Sequence, residues 1–191
     1  MRSFLTSLYT LQIAGLLFLV SAGCEPAVTP PAPVSSPPVN RDKVLSAQLF
    51  ARHNEVRRLN NVSTVEVSPL LVIAAQGHAD WMAENRHMTH VGKDDSSFGQ
   101  RVQATGYNLK TGGENIIGGY DTVDAVMDAC LQSPGQRQNI LNGAYRQIGL
   151  GLSTDKEGRY YWCVILGTPW GITDNQIQPR GLAEPNPLSP L

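Results

Sequence analysis

The chain has 191 residues, and its 15 basic and 16 acidic residues give a formal net charge of −1. It has no basic run and no interleaving of Arg or Lys with aromatic residues, so we expect no nucleic-acid partner. The termini are rich in apolar or proline residues, whereas residues 41–170 have a mixed composition. That central stretch has the commonest length of a single domain with its own core.

The first residues are typical of an export signal. Arg2 supplies a positive charge, residues 3–23 contain no charged side chain, and the stretch ends in small residues before Cys24. A signal peptide has a core of about 7–15 apolar residues, whereas a membrane-spanning helix needs roughly 20. Small residues before a cysteine resemble a bacterial lipobox, where cleavage precedes lipid attachment to the thiol. We expect removal of residues 1–23 and a membrane anchor on Cys24; the alternative is a secreted protein cut near Ala22.

Proline-rich segments flank the domain on both sides. Residues 24–40 contain six prolines among Ala, Val, Ser and Thr, and residues 171–191 contain four. Such composition cannot bury enough apolar surface to fold, and the first segment favours an extended polyproline II tether. The sequence therefore predicts a lipidation cysteine with a tether, a domain over residues 41–170, and a loose C-terminal tail.

Capping residues and apolar stripes predict five helices in the domain. Asp42 is the predicted cap of the first helix, Ser68 with Pro69 begins the second, and Thr122 is the predicted cap of the fourth. The predicted helices cover residues 42–59, 69–86, 98–105, 123–132 and a short piece that ends near 141.

The remaining extended segments predict a small sheet. Residues 112–119 are too rich in glycine for a helix, and residues 147–153 and 160–166 form a hairpin around a turn at 155–158. Both faces of the last strand are apolar, which indicates that helices cover the sheet on both sides. The pattern predicts an α/β fold, a three-layer α-β-α sandwich.

Four polar residues are the candidates for a catalytic or metal-binding role. His90 lies in a predicted loop, and Glu114 lies between Gly113 and Asn115. A histidine and a carboxylate on two loops can form a metal site, an acid–base pair or a hydrogen-bonded brace, and spacing alone favours the brace. His53 and His78 lie on helix faces, where we expect hydrogen-bonded structural histidines.

Motif searching assigns no enzyme class. The sequence has no H-E-x-x-H motif, no G-x-S-x-G motif and no P-loop. If Cys24 carries lipid, Cys130 and Cys163 remain as a pair in a compartment that permits disulfides. A disulfide and two buried thiols stay open as alternatives, because spacing does not establish the required geometry.

An ordered series of short motifs resembles the CAP superfamily, the cysteine-rich secretory protein, antigen 5 and pathogenesis-related group also called the SCP domain. The bacterial branch is the most similar. The motifs extend over nearly the whole domain, and their order is more specific than any one of them. They are Leu49 to Arg57, His78 to Ala83, Met88 to His90, Gly113 to Ile116, Ser133 to Leu141, Ile148 to Gly151, and Tyr161-Trp162.

The resemblance implies an α-β-α sandwich with a small, mainly antiparallel central sheet. It also implies a cleft where many members place two histidines and two glutamates, sometimes with a divalent metal. His90 matches the first histidine and Glu114 the first glutamate. Gln136 stands where the second histidine usually follows Ser-Pro-Gly, and the second acidic position falls near Gln132 or Ser133.

These departures shape what we expect of the cleft. The binding cleft comprises His90, Glu114, Asn115 and Gln136, and Cys130 replaces an aromatic residue that bacterial relatives often carry. A glutamine amide is a poor zinc ligand and cannot titrate. His90 and Glu114 are then the remaining candidate ligands for a divalent metal such as zinc, which Gln136 makes less favourable.

The sequence supports three hypotheses of function. The first is a non-catalytic binding module of the cell envelope, whose ligand is a peptide, a lipid or a protein, as the resemblance implies. The second is a metal-assisted hydrolase of protease type, with Glu114 as base and His90 as metal ligand or acid. The third is a purely structural envelope protein.

Overall fold

The structure, a computed structural model, describes residues 40–171. The predicted signal peptide, Cys24, the tether up to residue 39 and the tail after residue 171 lie outside the described residues. No helix within residues 40–171 is both long and apolar enough to span a bilayer. The helices are α1 Arg41–Leu59, α2 Pro69–Asn85, α3 Phe98–Ala104, α4 Val123–Gln132 and α5 Pro134–Ile140; the strands are β1 Glu66–Val67, β2 Leu109–Gly118, β3 Gln147–Thr154 and β4 Tyr160–Pro169.

The helix starts follow the predicted caps with one exception. The hydroxyl of Ser68 accepts from the first turn of α2, with Pro69 at the first helical position, and Thr122 caps α4 in the same way. The prediction of Asp42 as the cap of α1 is wrong. Asn40 has that role: its backbone is extended, and its side chain accepts hydrogen bonds from the amides of Asp42 and Lys43. Asp42 instead lies in the first turn, where its charge complements the helix dipole.

The four strands form one sheet in the order β1-β3-β4-β2. The β3–β4 hairpin and the β2–β4 pair are antiparallel, whereas β1 pairs in parallel with β3, so the sheet is mainly antiparallel. β1 was not predicted, because two exposed residues carry no readable alternation. β2 is longer than the predicted glycine-rich segment, and it is an edge strand, which determines the surroundings of Glu114.

Helices cover both faces of the sheet, which confirms the three-layer sandwich. Along β4, alternate side chains enter two separate cores. Trp162, Val164 and Leu166 pack with α1, α4 and α5, whereas Tyr161, Cys163 and Ile165 pack with α2 and α3. The apolar character of both faces of β4 therefore reflects two buried interfaces.

Helix α2 lies in backbone contact with β3. A Cβ atom at Gly149 would be 2.1 Å from the carbonyl carbon of Leu71, and one at Gly151 would be 2.3 Å from the carbonyl oxygen of Ala75. The side-chain amide of Gln76 also bonds to the backbone of β3. It donates to the carbonyl oxygen of Leu152 and accepts from the backbone nitrogen of the same residue. The two glycines thus allow an approach that no other residue permits.

A buried arginine ties the layer of α1 to the segment that follows α5. Arg57 is fully buried, and its guanidinium donates to the carbonyl oxygens of Ser63, Ile140, Asn142 and Tyr145. Burial lowers the pKa of Arg57 to about 10, which leaves it charged at neutral pH. Four carbonyl dipoles replace the water that this charge loses on folding.

The two helical histidines are hydrogen-bonded inside the fold, as predicted. The ring of His53 donates from Nδ1 to the carbonyl of Leu49 over 2.8 Å, and burial lowers its pKa to about 4. His78 donates from Nε2 to the carbonyl of Thr89 over 2.8 Å and stacks on Trp81. Burial also lowers the pKa of His78. Both rings therefore act as neutral structural groups.

The alternative of a disulfide between Cys130 and Cys163 is corrected by the structure, in which both are free and buried. Cys130 belongs to the core on the α1 and α4 side of the sheet, and Cys163 belongs to the core on the α2 side. The sheet therefore separates the thiols. Burial raises the pKa of Cys130 to about 12, so it remains protonated and apolar in character.

The contact between α2 and β3 gives a direct prediction for stability. We expect Gly149→Ala to lower the free energy of unfolding by about 3 kcal/mol or more, because the added methyl group meets backbone that cannot move aside. Gly135→Ala is the matched control, since a Cβ there meets no atom within 4 Å. Urea unfolding monitored by tryptophan fluorescence measures both variants. Equal stability of the Gly149 variant and wild type would refute the close contact.

Candidate functional site

The structure brings His90 and Glu114 together. Nδ1 of His90 lies 2.8 Å from Oε1 of Glu114, and the His90 side chain is 60% exposed whereas that of Glu114 is 1% exposed. Glu114 lies on β2 opposite Ile165, which agrees with the extended segment predicted for residues 112–119 and not with a carboxylate on a loop. The pair therefore joins a rigid, buried carboxylate to an imidazole at the surface.

Arg101 completes this cluster, and sequence reasoning missed it. Its Nη2 lies 2.6 Å from Oε2 of Glu114, and its side chain is 11% exposed. Its Nη1 donates to the carbonyls of His90 and Ser96, at 3.2 and 2.6 Å. One guanidinium thus binds both the carboxylate and the loop that carries the histidine.

Local sequence explains how Arg101 reaches this position. Ser97 and Gln100 form a capping box that begins α3, and Arg101 follows in the next position. The loop before α3 closes through a hydrogen bond of 2.8 Å from the nitrogen of Gly92 to the carbonyl of Ser96. A Cβ at Gly92 would lie 2.8 Å from Nη1 of Arg101, so the loop backbone wraps the guanidinium closely.

A thiol lies beneath the carboxylate. Sγ of Cys163 is 3.5 Å from Oε2 of Glu114 and donates its proton to that oxygen. Burial, together with the negative charge of Glu114, raises the pKa of Cys163 well above its ordinary value. A buried and protonated thiol is not a nucleophile, so Cys163 supplies a weak hydrogen bond here.

The other two predicted cleft residues serve a different contact. The amide of Asn115 donates to the backbone carbonyl of Gln136 over 3.1 Å and accepts from Nδ2 of Asn139 over 2.8 Å. The Gln136 amide donates to the carbonyl of Ile116 over 3.0 Å. Asn115 and Gln136 therefore fasten α5 to β2. The predicted set of four divides into the His90–Glu114 pair and this amide cluster.

The side chains around Glu114 do not fit a divalent metal. Both carboxylate oxygens are engaged, one by His90 and one by Arg101, and a cation bound there would meet the guanidinium at hydrogen-bond distance. Among residues 40–171, no group of three or more His, Cys, Asp or Glu side chains is placed to hold a metal ion. His90 alone would supply a single imidazole, whereas protein zinc sites use at least three ligands.

The hydrogen bond to Glu114 also determines the chemistry of the exposed ring. A carboxylate accepts, so Nδ1 of His90 carries the proton and the lone pair of neutral imidazole lies on Nε2. The hydrogen bonds among the described residues leave Nε2 available to a ligand. The arrangement offers an oriented hydrogen-bond acceptor at the surface, with its orienting carboxylate sealed from water.

Comparison with known protein families decides the relationship. The family model of the cysteine-rich secretory protein family, CAP, matches residues 50–166, which is more than half of the chain and includes the whole cluster around Glu114. The chain belongs to the CAP family.

Individual relatives agree with this assignment over part of their length. The CAP domain is 28% identical over 114 residues to the uncharacterized membrane protein YlbC of Bacillus subtilis, covering 60% of this chain and 32% of that protein. It is 29% identical over 98 residues to the uncharacterized protein YkwD of the same organism, covering 51% of this chain and 38% of YkwD. The chain thus spans about a third of the length of the curated relatives it matches.

Solved structures show the same CAP fold. An outer surface protein of Borrelia burgdorferi superposes with a TM-score of 0.63 at 22% identity, covering 66% of this chain and 94% of that protein. An extracellular protein with an SCP domain from Bacillus anthracis superposes with a TM-score of 0.56 at 25% identity, covering 65% of this chain and 41% of that one. These likenesses establish the fold.

The geometry of Glu114 predicts unequal effects of two substitutions. Glu114→Gln removes the counterion of the largely buried Arg101, so we expect the free energy of unfolding to fall by about 3 kcal/mol. His90→Ala removes an exposed partner, and we expect a loss of about 1 kcal/mol or less. Chemical unfolding at neutral pH measures both.

Glu157→Gln is the matched control for this comparison. Glu157 pairs with Arg86 on the surface, where both side chains are more than half exposed. The control should therefore be nearly as stable as wild type. If Glu114→Gln were as mild as Glu157→Gln, the buried ion pair would not support the fold.

Proposed function

We propose that this CAP protein is exported, anchored to an envelope membrane through lipid on Cys24, and acts there as a non-catalytic binding or interaction module. The observation that carries the proposal is the state of Glu114. Its two oxygens are held by His90 and Arg101 at 2.8 and 2.6 Å, and its side chain is 1% exposed. A carboxylate so enclosed is not accessible to a substrate, and it orients the His90 ring.

The apolar groove between α1, α2 and β3 supports a binding role. It has a volume of about 560 Å³, within the range of small-molecule sites. Asp42, Lys43 and Ser46 are among its polar lining residues at the start of α1. Its apolar lining includes Ala47, Phe50, Val67, Val72, Leu150 and Leu152. A groove of this character suits an acyl chain or the apolar side chains of a peptide or protein.

The envelope location rests on two supports. The N-terminal sequence is typical of a lipoprotein signal, and the relatives named above include an outer surface protein and an extracellular protein. An anchor on Cys24 followed by a proline-rich tether would hold the domain away from the membrane surface. The ligand would then be a peptide, a lipid or a protein of the envelope.

A hydrolase remains the second candidate, because the hydrogen bond between His90 and Glu114 resembles an oriented acid–base pair. In that mechanism His90 would remove a proton from water through Nε2 and Glu114 would orient the ring. This differs from the role of Glu114 as base, which its burial does not suit. The residues present give no support to a metal-assisted form.

Filling the groove tests the binding proposal. Ala47 is exposed on α1 and lines the groove, so Ala47→Phe should occlude it without disturbing the core. We expect the full chain to bind the apolar dye anilinonaphthalene sulfonate and to retain envelope lipids or peptides detected by mass spectrometry. The variant should lose most of both signals because the phenyl ring occupies the space.

Ala51→Phe is the matched control, since Ala51 is also exposed on α1 but does not line this groove. Equal loss in the control, or full binding by Ala47→Phe, would contradict a ligand site in the groove. Turnover of peptide or ester substrates that disappears in His90→Ala would instead establish the hydrolase.

The anchor gives a separate prediction. The wild-type chain, expressed in a bacterium that processes lipoproteins, should incorporate labelled palmitate and partition into detergent. Cys24→Ala should lose both properties, because it removes the thiol that accepts the lipid. Ser36→Ala, a change in the tether, serves as the control. Detergent partitioning that persists in Cys24→Ala would show that another feature holds the protein at the membrane.

A further inference from the structure

We infer that Arg101 is the built-in cation of this cleft: it neutralises Glu114 and ties down the His90 loop, so that the cleft is assembled without a metal ion. The inference goes beyond the binding role, since it concerns how the site is held together whichever ligand occupies the protein. It rests on three independent sets of contacts.

The first set concerns charge. Glu114 is almost fully buried, and an ionised carboxylate in that position requires a compensating partner. Nη2 of Arg101 provides it at 2.6 Å, and Arg101 is itself mostly shielded from water. A divalent ion at Glu114 would have to displace this guanidinium, which would leave a buried cation without a counterion. The position that a metal would fill is therefore already taken.

The second set concerns the loop. Nη1 of Arg101 donates to the carbonyls of His90 and Ser96, which lie at the two ends of the loop. Within that loop Asp94 and Asp95 adopt left-handed backbone conformations, with φ of 55° and 57°. These conformations are uncommon outside glycine and persist where surrounding contacts enforce them. The guanidinium of Arg101 holds both ends of this loop and so stabilises these left-handed conformations.

The third set concerns the remaining donors. The side chain of Gln136 is committed to the carbonyl of Ile116. The thiol of Cys163 is committed to Glu114, since Sγ donates to Oε2 over 3.5 Å on the same oxygen that Arg101 binds. Imidazole nitrogen Nδ1 of His90 is committed to Glu114, so Nε2 alone remains. The cleft thus presents one hydrogen-bond acceptor to a ligand and no chelating set.

Zinc titration of the full chain tests the inference directly. In wild type we expect no zinc binding that depends on His90, no change of melting temperature with EDTA, and the tautomer of His90 protonated at Nδ1 in nitrogen NMR spectra. His90→Ala and His87→Ala separate the cleft from an exposed surface histidine. One equivalent of zinc that is lost in His90→Ala but kept in His87→Ala would overturn the inference.

Substitution of Arg101 tests its two roles separately. Arg101→Met removes the charge and frees Oε2 of Glu114, so we expect weak His90-dependent zinc binding to become measurable where wild type shows none, and the tautomer preference to weaken. Arg101→Lys keeps the charge but not the fork that binds both carbonyls. The lysine variant should still exclude zinc because the positive charge remains beside Glu114. Its preference for the His90 tautomer protonated at Nδ1 should weaken because the His90 loop is no longer held.

A folded Arg101→Met variant with unchanged zinc affinity and tautomer would overturn the inference. Arg58→Met, on the exposed end of α1, controls for the loss of a surface charge. If Arg101→Met does not fold, the wild-type zinc titration and the lysine variant decide, because both use a cleft with its charge in place.

Discussion

The backbone contact between α2 and β3 is the constraint on which the rest of the structure depends. Because Gly149 and Gly151 carry no side chain, α2 lies directly on the sheet. That position fixes His78, whose Nε2 donates to the carbonyl of Thr89, the residue before His90. The position of the exposed His90 imidazole therefore depends on a series of contacts that begins at the two glycines of β3. A shift of α2 would be transmitted to the cleft.

Two mostly buried arginines organise the two helical layers by different means. Among residues 40–171, the contacts of Arg57 are with backbone carbonyls, which provide dipoles but no counterion, and burial lowers its pKa. Arg101 binds the carboxylate of Glu114, an interaction between full charges. The first arrangement joins segments of backbone, whereas the second fixes one side chain in a defined chemical state. Arg101, and not Arg57, therefore affects the chemistry of the candidate site.

Caps and periodicity in the sequence predicted the helices, because these signals act over three or four residues. They did not predict the role of Arg101, which on a short helix looks like a solvated charge. Its partnership with Glu114 depends on how α3 meets β2, and such tertiary placement leaves no local pattern. The separation of Glu114 from Asn115 follows from strand alternation once that segment is recognised as β2. The burial of Cys130 and Cys163 on opposite faces requires the layer order.

Gln136, which stands where the family resemblance implies a second histidine, acquires a structural meaning from the position of β2. An edge strand exposes unpaired backbone groups that can pair with another chain. The amide of Gln136 donates to the carbonyl of Ile116, and that of Asn139 donates to the carbonyl of Glu114, so α5 covers this edge. An amide at position 136 therefore contributes to closing the sheet rather than to a metal site. His90 does not need a second imidazole for its orientation, because that orientation depends on Glu114 and on the contact between the His90 carbonyl and Arg101.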